Sequence, residues 1–258
     1  MEYNIGMAIP KKIHYVWVGD APIPKKDQQF IKHWKELNPD FEVKRWSEKD
    51  IDMEKYPLVK KAIDEKRWAL ASDIIRMYAM YNEGGFYFDT DVELLKPLAP
   101  FLKYDGVASW ESRYWFTTSS FAAKKHSPWI GKVLKRYEIT RPKKITNDTF
   151  MRTVHSPSIY AKDFYDIKCD GKTHEYADGK FITLAPEYFN PKHYMTGKMR
   201  QTENTVAIHH YASTWHSKFE KFMADWGVFW VKLMGPTFRI CEFCYHKIIT
   251  IKIRRELK

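Results

Sequence analysis

Residues 69–91 read Ala69-Leu70-Ala71-Ser72-Asp73-Ile74-Ile75-Arg76-Met77-Tyr78-Ala79-Met80-Tyr81-Asn82-Glu83-Gly84-Gly85-Phe86-Tyr87-Phe88-Asp89-Thr90-Asp91, and this stretch decides the fold. Leu70, Ile74, Met77, Tyr78 and Tyr81 recur at helical spacing, which predicts a helix from about Ala69 to Glu83 with one apolar face. Gly84-Gly85 is a helix stop, and it leads straight into the β-prone run Phe86-Tyr87-Phe88. A helix, a glycine turn and a strand that ends in Asp89-Thr90-Asp91 is a piece of an α/β sheet. In such sheets ligands sit at the carboxyl ends of the strands, where this acid pair lies.

The sequence on either side continues the pattern. Upstream, Ile13 to Val18 is a short strand closed by Gly19-Asp20 and the Pro22/Pro24 turn. Phe30, Ile31, Trp34 and Leu37 are spaced as a helix that stops at Asn38-Pro39, Phe41 to Trp46 is a second strand, and Pro57 opens another helix. Downstream, Gly106 to Ala123 is strand-like, and Ser127-Pro128 is a helix cap with a first-turn proline. Residues 140–200 are loop-rich, with late strands at Phe181 to Leu184 and at Thr205 to Ile208, the second running into His209-His210-Tyr211. No repeat or linker divides the chain, so residues 1–225 form one α/β domain and residues 226–258 a basic C-terminal segment.

Composition bounds the function. With 258 residues, 44% hydrophobic and 29% charged, the chain is globular, and no apolar run is long enough to cross a membrane. Met1-Glu2-Tyr3-Asn4 has no signal-peptide character, and Cys169, Cys241 and Cys244 are too few for a disulfide framework, so a reducing, cytoplasmic setting is expected. The net charge of +11 favours an anionic partner: nucleic acid, phospholipid or a phosphorylated substrate.

Asp89 and Asp91, two apart, point the same way if the strand continues, and together they suit a hard divalent cation such as Mg²⁺ or Mn²⁺. Taken alone, the pair also reads as two solvated carboxylates. The helix just before it changes the weighting, because Asp73 and Arg76, spaced i and i+3, present an acid and a base on one side.

Together these residues resemble the glycosyltransferases of family 32 and the related sugar-binding region with a DXD motif, a group that includes fungal α-mannosyltransferases, bacterial capsule enzymes and the catalytic domain of clostridial glucosylating toxins. Three pieces carry the resemblance over about the first 100 residues: Ile9-Pro10-Lys11-Lys12-Ile13-His14-Tyr15-Val16-Trp17-Val18-Gly19, Ser72-Asp73-x-x-Arg76, and Gly-Gly-x-Tyr-x-Asp-x-Asp at 84–91. It implies a GT-A fold, a single Rossmann-like α/β/α domain, and the chain's own basic segment is expected to follow it as a C-terminal helical tail. It also implies Mn²⁺ or Mg²⁺ and a nucleotide-sugar donor, a UDP-hexose ahead of GDP-mannose.

The resemblance makes Asp89, Asp91, Asp73 and Arg76 the catalytic set, with Asp91 on the metal and Asp89 on the ribose or donor sugar. Val16, Trp17, Ser72 and Tyr87 join Asp73, Arg76 and Asp89 around the donor. Trp17 resembles the aromatic that stacks on the base, and a core tryptophan is the competing reading. His210-Tyr211-Ala212-Ser213-Thr214-Trp215 resembles a C-terminal element that closes on the metal and diphosphate, which gives His210 and Ser213 to the metal and Trp215 to the diphosphate. His209 competes with His210. Glu111 is a further carboxylate after a strand, and Asn147 and Asp148 read as a helix cap or an acceptor-side loop.

In residues 238–258, Ile248, Ile249, Ile251 and Ile253 interleave with Lys and Arg, and Trp226, Phe229 and Trp230 precede them. This resembles an interfacial anchor for an anionic membrane; a solvated terminal helix is the competing reading. The expected function is a metal-dependent retaining hexosyltransferase acting on a glycan, often a lipid-linked one, in bacterial capsule or O-antigen synthesis at the inner face of the cell membrane. A toxin-like effector that glycosylates a host protein is the alternative. Nucleic-acid binding ranks third, since it gives Asp89 and Asp91 no purpose and no recognition motif accompanies the charge.

Overall fold

The computed structural model describes residues 8–194, 196–212 and 236–256. A seven-stranded sheet runs through the molecule in the order β2 (Glu42–Trp46), β1 (Lys12–Val16), β3 (Gly85–Phe88), β6 (Phe116–Ala123), β5 (Gly106–Trp110), β8 (Phe181–Leu184), β7 (His174–Tyr176). β1 is parallel to both β2 and β3, β5 is parallel to β8, and β6 runs antiparallel between β3 and β5. The carboxyl ends of β1, β2, β3, β5 and β8 therefore share one edge. Asp89 leaves β3 and Glu111 leaves β5 on that edge.

Helices cover both faces. α2 (Pro57–Asp64), α3 (Trp68–Glu83), α4 (Pro128–Ile139) and α5 (Asn147–Tyr165) enclose one apolar cluster, and α1 (Lys25–Leu37) and α6 (Pro186–Phe189) close the other side. The alternation of a strand divides β3 between them: Phe86 and Phe88 enter the second cluster and Tyr87 the first, beneath α3. A separate ribbon pairs β4 (Val92–Leu94) with β9 (Ala207–His209).

The glycine turn is a steric necessity. Gly84 has φ +65°, and a Cβ there would lie 2.5 Å from the Lys125 nitrogen; Gly85 has φ +111° and would bring a Cβ 2.7 Å from the Lys12 carbonyl. The Gly84 carbonyl accepts from His14 Nε2 at 2.7 Å, and His14 Nδ1 accepts from the Trp46 indole at 2.9 Å. Burial lowers the His14 pKa to about 4, so a neutral imidazole ties β1, β2 and the turn together.

The structure differs from the sequence reading in residues 140–200, where α5 is a 19-residue helix. Its Ser, Thr and Pro content hid it, because such residues compete with helical hydrogen bonding. Pro157 stands inside it and removes the N–H that Thr153 would accept. The Thr153 carbonyl is satisfied instead by Tyr137 Oη at 2.9 Å and Ser156 Oγ at 3.0 Å. The basic C-terminal helix, α7 (Pro236–Arg255), packs on α5 and buries Ile249 and Ile253 in the core. Ile240, Phe243, Ile248 and Ile251 remain exposed along it. Among the described residues no helix is long and apolar enough to cross a membrane.

Candidate functional site

α3 aims one stripe of side chains at the end of β3. Arg76 is buried, and its Nη2 reaches Asp73 Oδ1 at 3.0 Å and Asp89 Oδ1 at 3.1 Å, with Ser72 Oγ at 3.5 Å. Its Nη1 donates to the Thr118 carbonyl at 2.7 Å, and the guanidinium lies 4.7 Å above the Tyr87 ring. Tyr87 Oη donates to the same Asp89 oxygen at 2.9 Å. The Gly-Gly-x-Tyr-x-Asp spacing thus has a geometric meaning: Tyr87 supports Arg76 from below and fixes Asp89 from the side. The fork geometry of the guanidinium suits this bridging, which an ammonium could not reproduce.

These charges hold one another's ionisation. Burial pushes the Asp73 carboxyl up to about 6, with Asp89 and Glu111 adding to the effect and Arg76 opposing it. Burial alone would lower Arg76, but Asp89, Tyr87 and Asp73 hold its pKa above the ordinary value.

Asp91 reaches the site by a different route. The strand ends at Phe88, and residues 89–91 form a turn closed by Val92 N donating to the Asp89 carbonyl at 3.0 Å, so turn geometry rather than strand alternation brings the two acids together. The turn is anchored by Thr90 Oγ1, which donates to buried Asp27 Oδ2 at 2.9 Å, and by the Trp34 indole, which donates to the Val92 carbonyl at 2.8 Å. Asp91 is 7% exposed and accepts from Ala212 N at 2.7 Å.

The imidazole beside it belongs to His209. Its Nε2 stands 3.2 Å from Asp91 Oδ1 and 3.9 Å from Asp89 Oδ2. His209 pairs in register with Val92, next to the acid turn. The expected His210 faces away, as a neighbouring residue on an extended chain does: its Nε2 meets Glu93 Oε2 at 2.8 Å and its ring stacks on Phe30. Burial pushes the Asp91 pKa up, but the hydrogen bond and charge of His209 and the Ala212 N–H outweigh it and bring Asp91 to about 2. Burial likewise lowers His209, and Asp91, Asp89 and Glu111 raise it above its usual value.

Ligand atoms of Asp89, Asp91 and His209 all lie within 4.8 Å of one another. Two carboxylates and an imidazole are a donor set suited to Mn²⁺ or Mg²⁺, so these residues fit the cation that the sequence resemblance implies.

The other expected residues divide. Ser72, Asp73, Arg76, Tyr87, Asp89 and Asp91 come together. Val16 packs its side chain into the core, and Trp17 is 3% exposed with its indole donating to the Ala21 carbonyl at 2.6 Å. Ser213 and Trp215 lie outside the described residues. Glu111 does approach the cluster: its Oε1 accepts from Tyr211 Oη at 3.1 Å, and burial raises its carboxyl pKa. Asp27 escaped sequence reading, because one acid in the first turn of a helix reads as a favourable dipole contact.

Residues 24–116 match the family described as the glycosyltransferase sugar-binding region containing a DXD motif; they take in Asp27, Asp73, Arg76, Asp89 and Asp91. Among solved structures, the PaToxG glycosyltransferase superposes with a TM-score of 0.51 at 18% identity, over 60% of this chain and 69% of that one. A glycosyltransferase involved in the glycosylation of the major capsid of PBCV-1 gives 0.45 at 14% identity, over 84% and 98%. Galactosyltransferase LgtC, in complex with donor and acceptor sugar analogs, gives 0.39 at 13% identity, over 83% and 92%. No curated protein sequence matches the chain. The α/β architecture expected from the motifs, of GT-A type, is the one the chain adopts.

Proposed function

We propose that this glycosyltransferase moves a hexose from a nucleotide sugar, a UDP-hexose ahead of GDP-mannose, to a glycan acceptor with retention of configuration, in the assembly of a bacterial surface polysaccharide such as capsule or O-antigen. The observation that carries the reading is the convergence of Asp89, Asp91 and His209 beside the Asp73–Arg76 pair, at the carboxyl edge of the sheet and largely within the region that matches the sugar-binding family. When bound, Mn²⁺ or Mg²⁺ supplies Lewis-acid stabilisation of the departing diphosphate.

The protein's own residues hold and orient. Asp91 and His209 are the principal ligands, and Asp89, pinned through Oδ1 by Arg76 and Tyr87, keeps Oδ2 turned toward them. Asp73 gives Oδ1 to Arg76, which leaves Oδ2 to accept from a donor hydroxyl. The base is assigned to the loop after β1, beside Val16 and Trp17. Ser213 and Trp215 keep the metal and diphosphate roles that the resemblance gives them. A front-side displacement, in which the leaving phosphate takes the acceptor's proton, asks of the protein mainly position and charge.

We assign residues 1–225 to the catalytic domain and residues 226–258 to contact with an anionic membrane on its inner face, where a lipid-linked acceptor would lie. The exposed Ile240, Phe243, Ile248 and Ile251, beside exposed Lys247 and Arg255, support this assignment. The test is a panel of nucleotide sugars with Mn²⁺, scored by nucleoside diphosphate release. One donor is expected to turn over and to stop in EDTA; full turnover in excess EDTA overturns the metal site.

A further inference from the structure

The second and third turns of α3 carry Asp73 and Arg76 into the site, and its first turn, Trp68-Ala69-Leu70, lines a separate cleft of about 900 Å³. Lys61, Glu65, Lys66 and Arg67 line it as well, together with Lys143 to Asn147 and Phe150. The lining thus holds five cations and one carboxylate. Glu65 is already engaged: it accepts from Ile145 N at 3.2 Å and pairs with Lys61 at 3.2 Å. Lys66, Arg67, Lys143 and Lys144 are exposed and have no carboxylate at ion-pair distance among the described residues.

Other exposed cations of the described residues, such as Lys132 and Lys135, also lack an acid partner, but these four line one concavity. Four unpaired like charges around one concavity repel each other, and a low-dielectric wall focuses their field into the cleft. Trp68 and Phe150 each pack against the core and stay partly exposed. Cations beside aromatic faces are the chemistry that receives an anionic sugar: the ring lies on the aromatic, the anion on Lys and Arg. Thr146 caps α5 through Thr149 N, which leaves Asn147 to line the cleft as a further polar contact.

We propose that this cleft binds the phosphorylated saccharide end of the acceptor. The proposal rests on the hexosyl-transfer reading for the word acceptor, whereas the binding itself stands apart from it. The location suits the role, since Ala69 in the cleft wall is one helical turn, about 6 Å along the axis, from Asp73. A Cβ on Gly19, in the loop after β1 to which the base is assigned, would come within 4.0 Å of the Trp68 ring, so this loop borders the cleft wall. A phosphosugar is either free or carried on a lipid diphosphate; the recognition chemistry is shared.

The test is calorimetric titration of the metal-free protein, in EDTA, with α-glucose 1-phosphate. Binding is expected, weakening as salt screens the cations. Lys66→Gln/Lys143→Gln/Lys144→Gln, which alters exposed side chains only, is expected to lower affinity about tenfold or more, on the scale of losing a charge-assisted contact. The single Lys144→Gln change is expected to show part of that loss. Asp91→Asn should bind like the wild type, and methyl α-glucoside should not bind.

No binding by the wild type, unchanged affinity in the triple variant, or loss through Asp91→Asn overturns the proposal. In a second arm, neutral phosphatidylcholine vesicles carry a polyprenyl-diphosphate saccharide: capture by the wild type and not by the triple variant assigns the lipid-linked source, and binding of the free phosphosugar alone assigns the soluble one. Donor hydrolysis with Mn²⁺ is measured separately and should be unchanged in the triple variant. Its absence from the wild type would end the hexosyl-transfer reading and leave the binding result standing.

Discussion

The buried stripe of α3 and the residues just before the helix treat charge in opposite ways. Around Asp73 and Arg76 the charges are buried or, for Asp89, partly buried, and all are answered: Asp73 and Asp89 by Arg76, and Asp91 by His209 and a backbone N–H. One turn earlier, Lys66, Arg67, Lys143 and Lys144 line a cleft whose one acid, Glu65, is already held by Lys61 and the Ile145 N–H. Burial forces pairing, because an unpaired ion in a low-dielectric interior costs several kcal/mol, about what a whole domain has to spare. Exposure removes that demand, so charges at the surface can be placed for a ligand. The paired region should therefore couple function to stability, and the cleft should not.

The sharpest way to break this contrast is Asp91→Asn. The substitution keeps shape and removes the charge that faces the cation, so turnover is expected to fall by a factor of about 100 or more. A solvated carboxylate at this position would contribute little to stability, but Asp91 is buried and paired. At 7% exposure, with a carboxyl held near 2 against an ordinary 3.8, it stabilises the fold above about pH 4, and that contribution is lost as pH falls through 2. Melting temperature should drop together with turnover, and the gap between wild type and variant should narrow in acid. Lys143→Gln, by contrast, should leave melting unchanged. A variant that loses turnover with an unaltered melting curve at pH 7 would mean that Asp91 is not paired in solution.

The next effect separates two neighbours. His209→Ala is expected to raise the Mn²⁺ concentration for half-maximal donor hydrolysis about tenfold, the low end of what lost support at a metal site costs, and His210→Ala to change it far less. The acids raise the His209 pKa, so the cation must displace a proton held more tightly than usual. Apparent Mn²⁺ affinity should therefore rise with pH across the neutral range in the wild type and lose that dependence in His209→Ala. A larger effect from His210→Ala than from His209→Ala would return the ligand role to His210.

That histidine choice marks the limit of legibility in the sequence. The helix, glycine turn and acid pair were readable because each depends on near neighbours: helical spacing, a steric need for glycine at 84 and 85, and acids two residues apart. His209 and Asp27 join the site through register and packing, 118 and 64 residues from Asp91, and nothing local distinguishes them from their neighbours. α5 failed to declare itself for a related reason. Its hydroxyl side chains satisfy backbone groups that depend on Tyr137 from another helix, so the compensation is tertiary. Locally encoded pieces survive a reading of the sequence, and pieces closed by long-range contacts do not.

The smallest expected effect sharpens the same contrast from inside the paired region. Asp73 has partners, yet burial still lifts its carboxyl to about 6 from an ordinary 3.8. A folded-state pKa above the unfolded value means that the native protein holds the proton more tightly, so Asp73 favours folding at low pH and its contribution is lost as pH rises from about 4 through 6. Asp73→Asn mimics the protonated form, and donor-free, metal-free protein carrying it should gain stability on the wild type as pH rises across that window. The gain is at most on the order of a few kcal/mol, since one pKa unit corresponds to about 1.4 kcal/mol and Arg76 loses a partner in the exchange. Donor binding should weaken at the same time, because the neutral amide accepts hydroxyl hydrogen bonds less strongly than the carboxylate. Paired melting curves at pH 4, 5, 6 and 7 read the difference directly, and the comparison cancels the lower-lying titrations of Asp91 and Glu83, which both fall to about 2. A difference that stays flat across the window would show that Asp73 keeps its water in solution, and the buried half of the contrast would then begin only at Arg76.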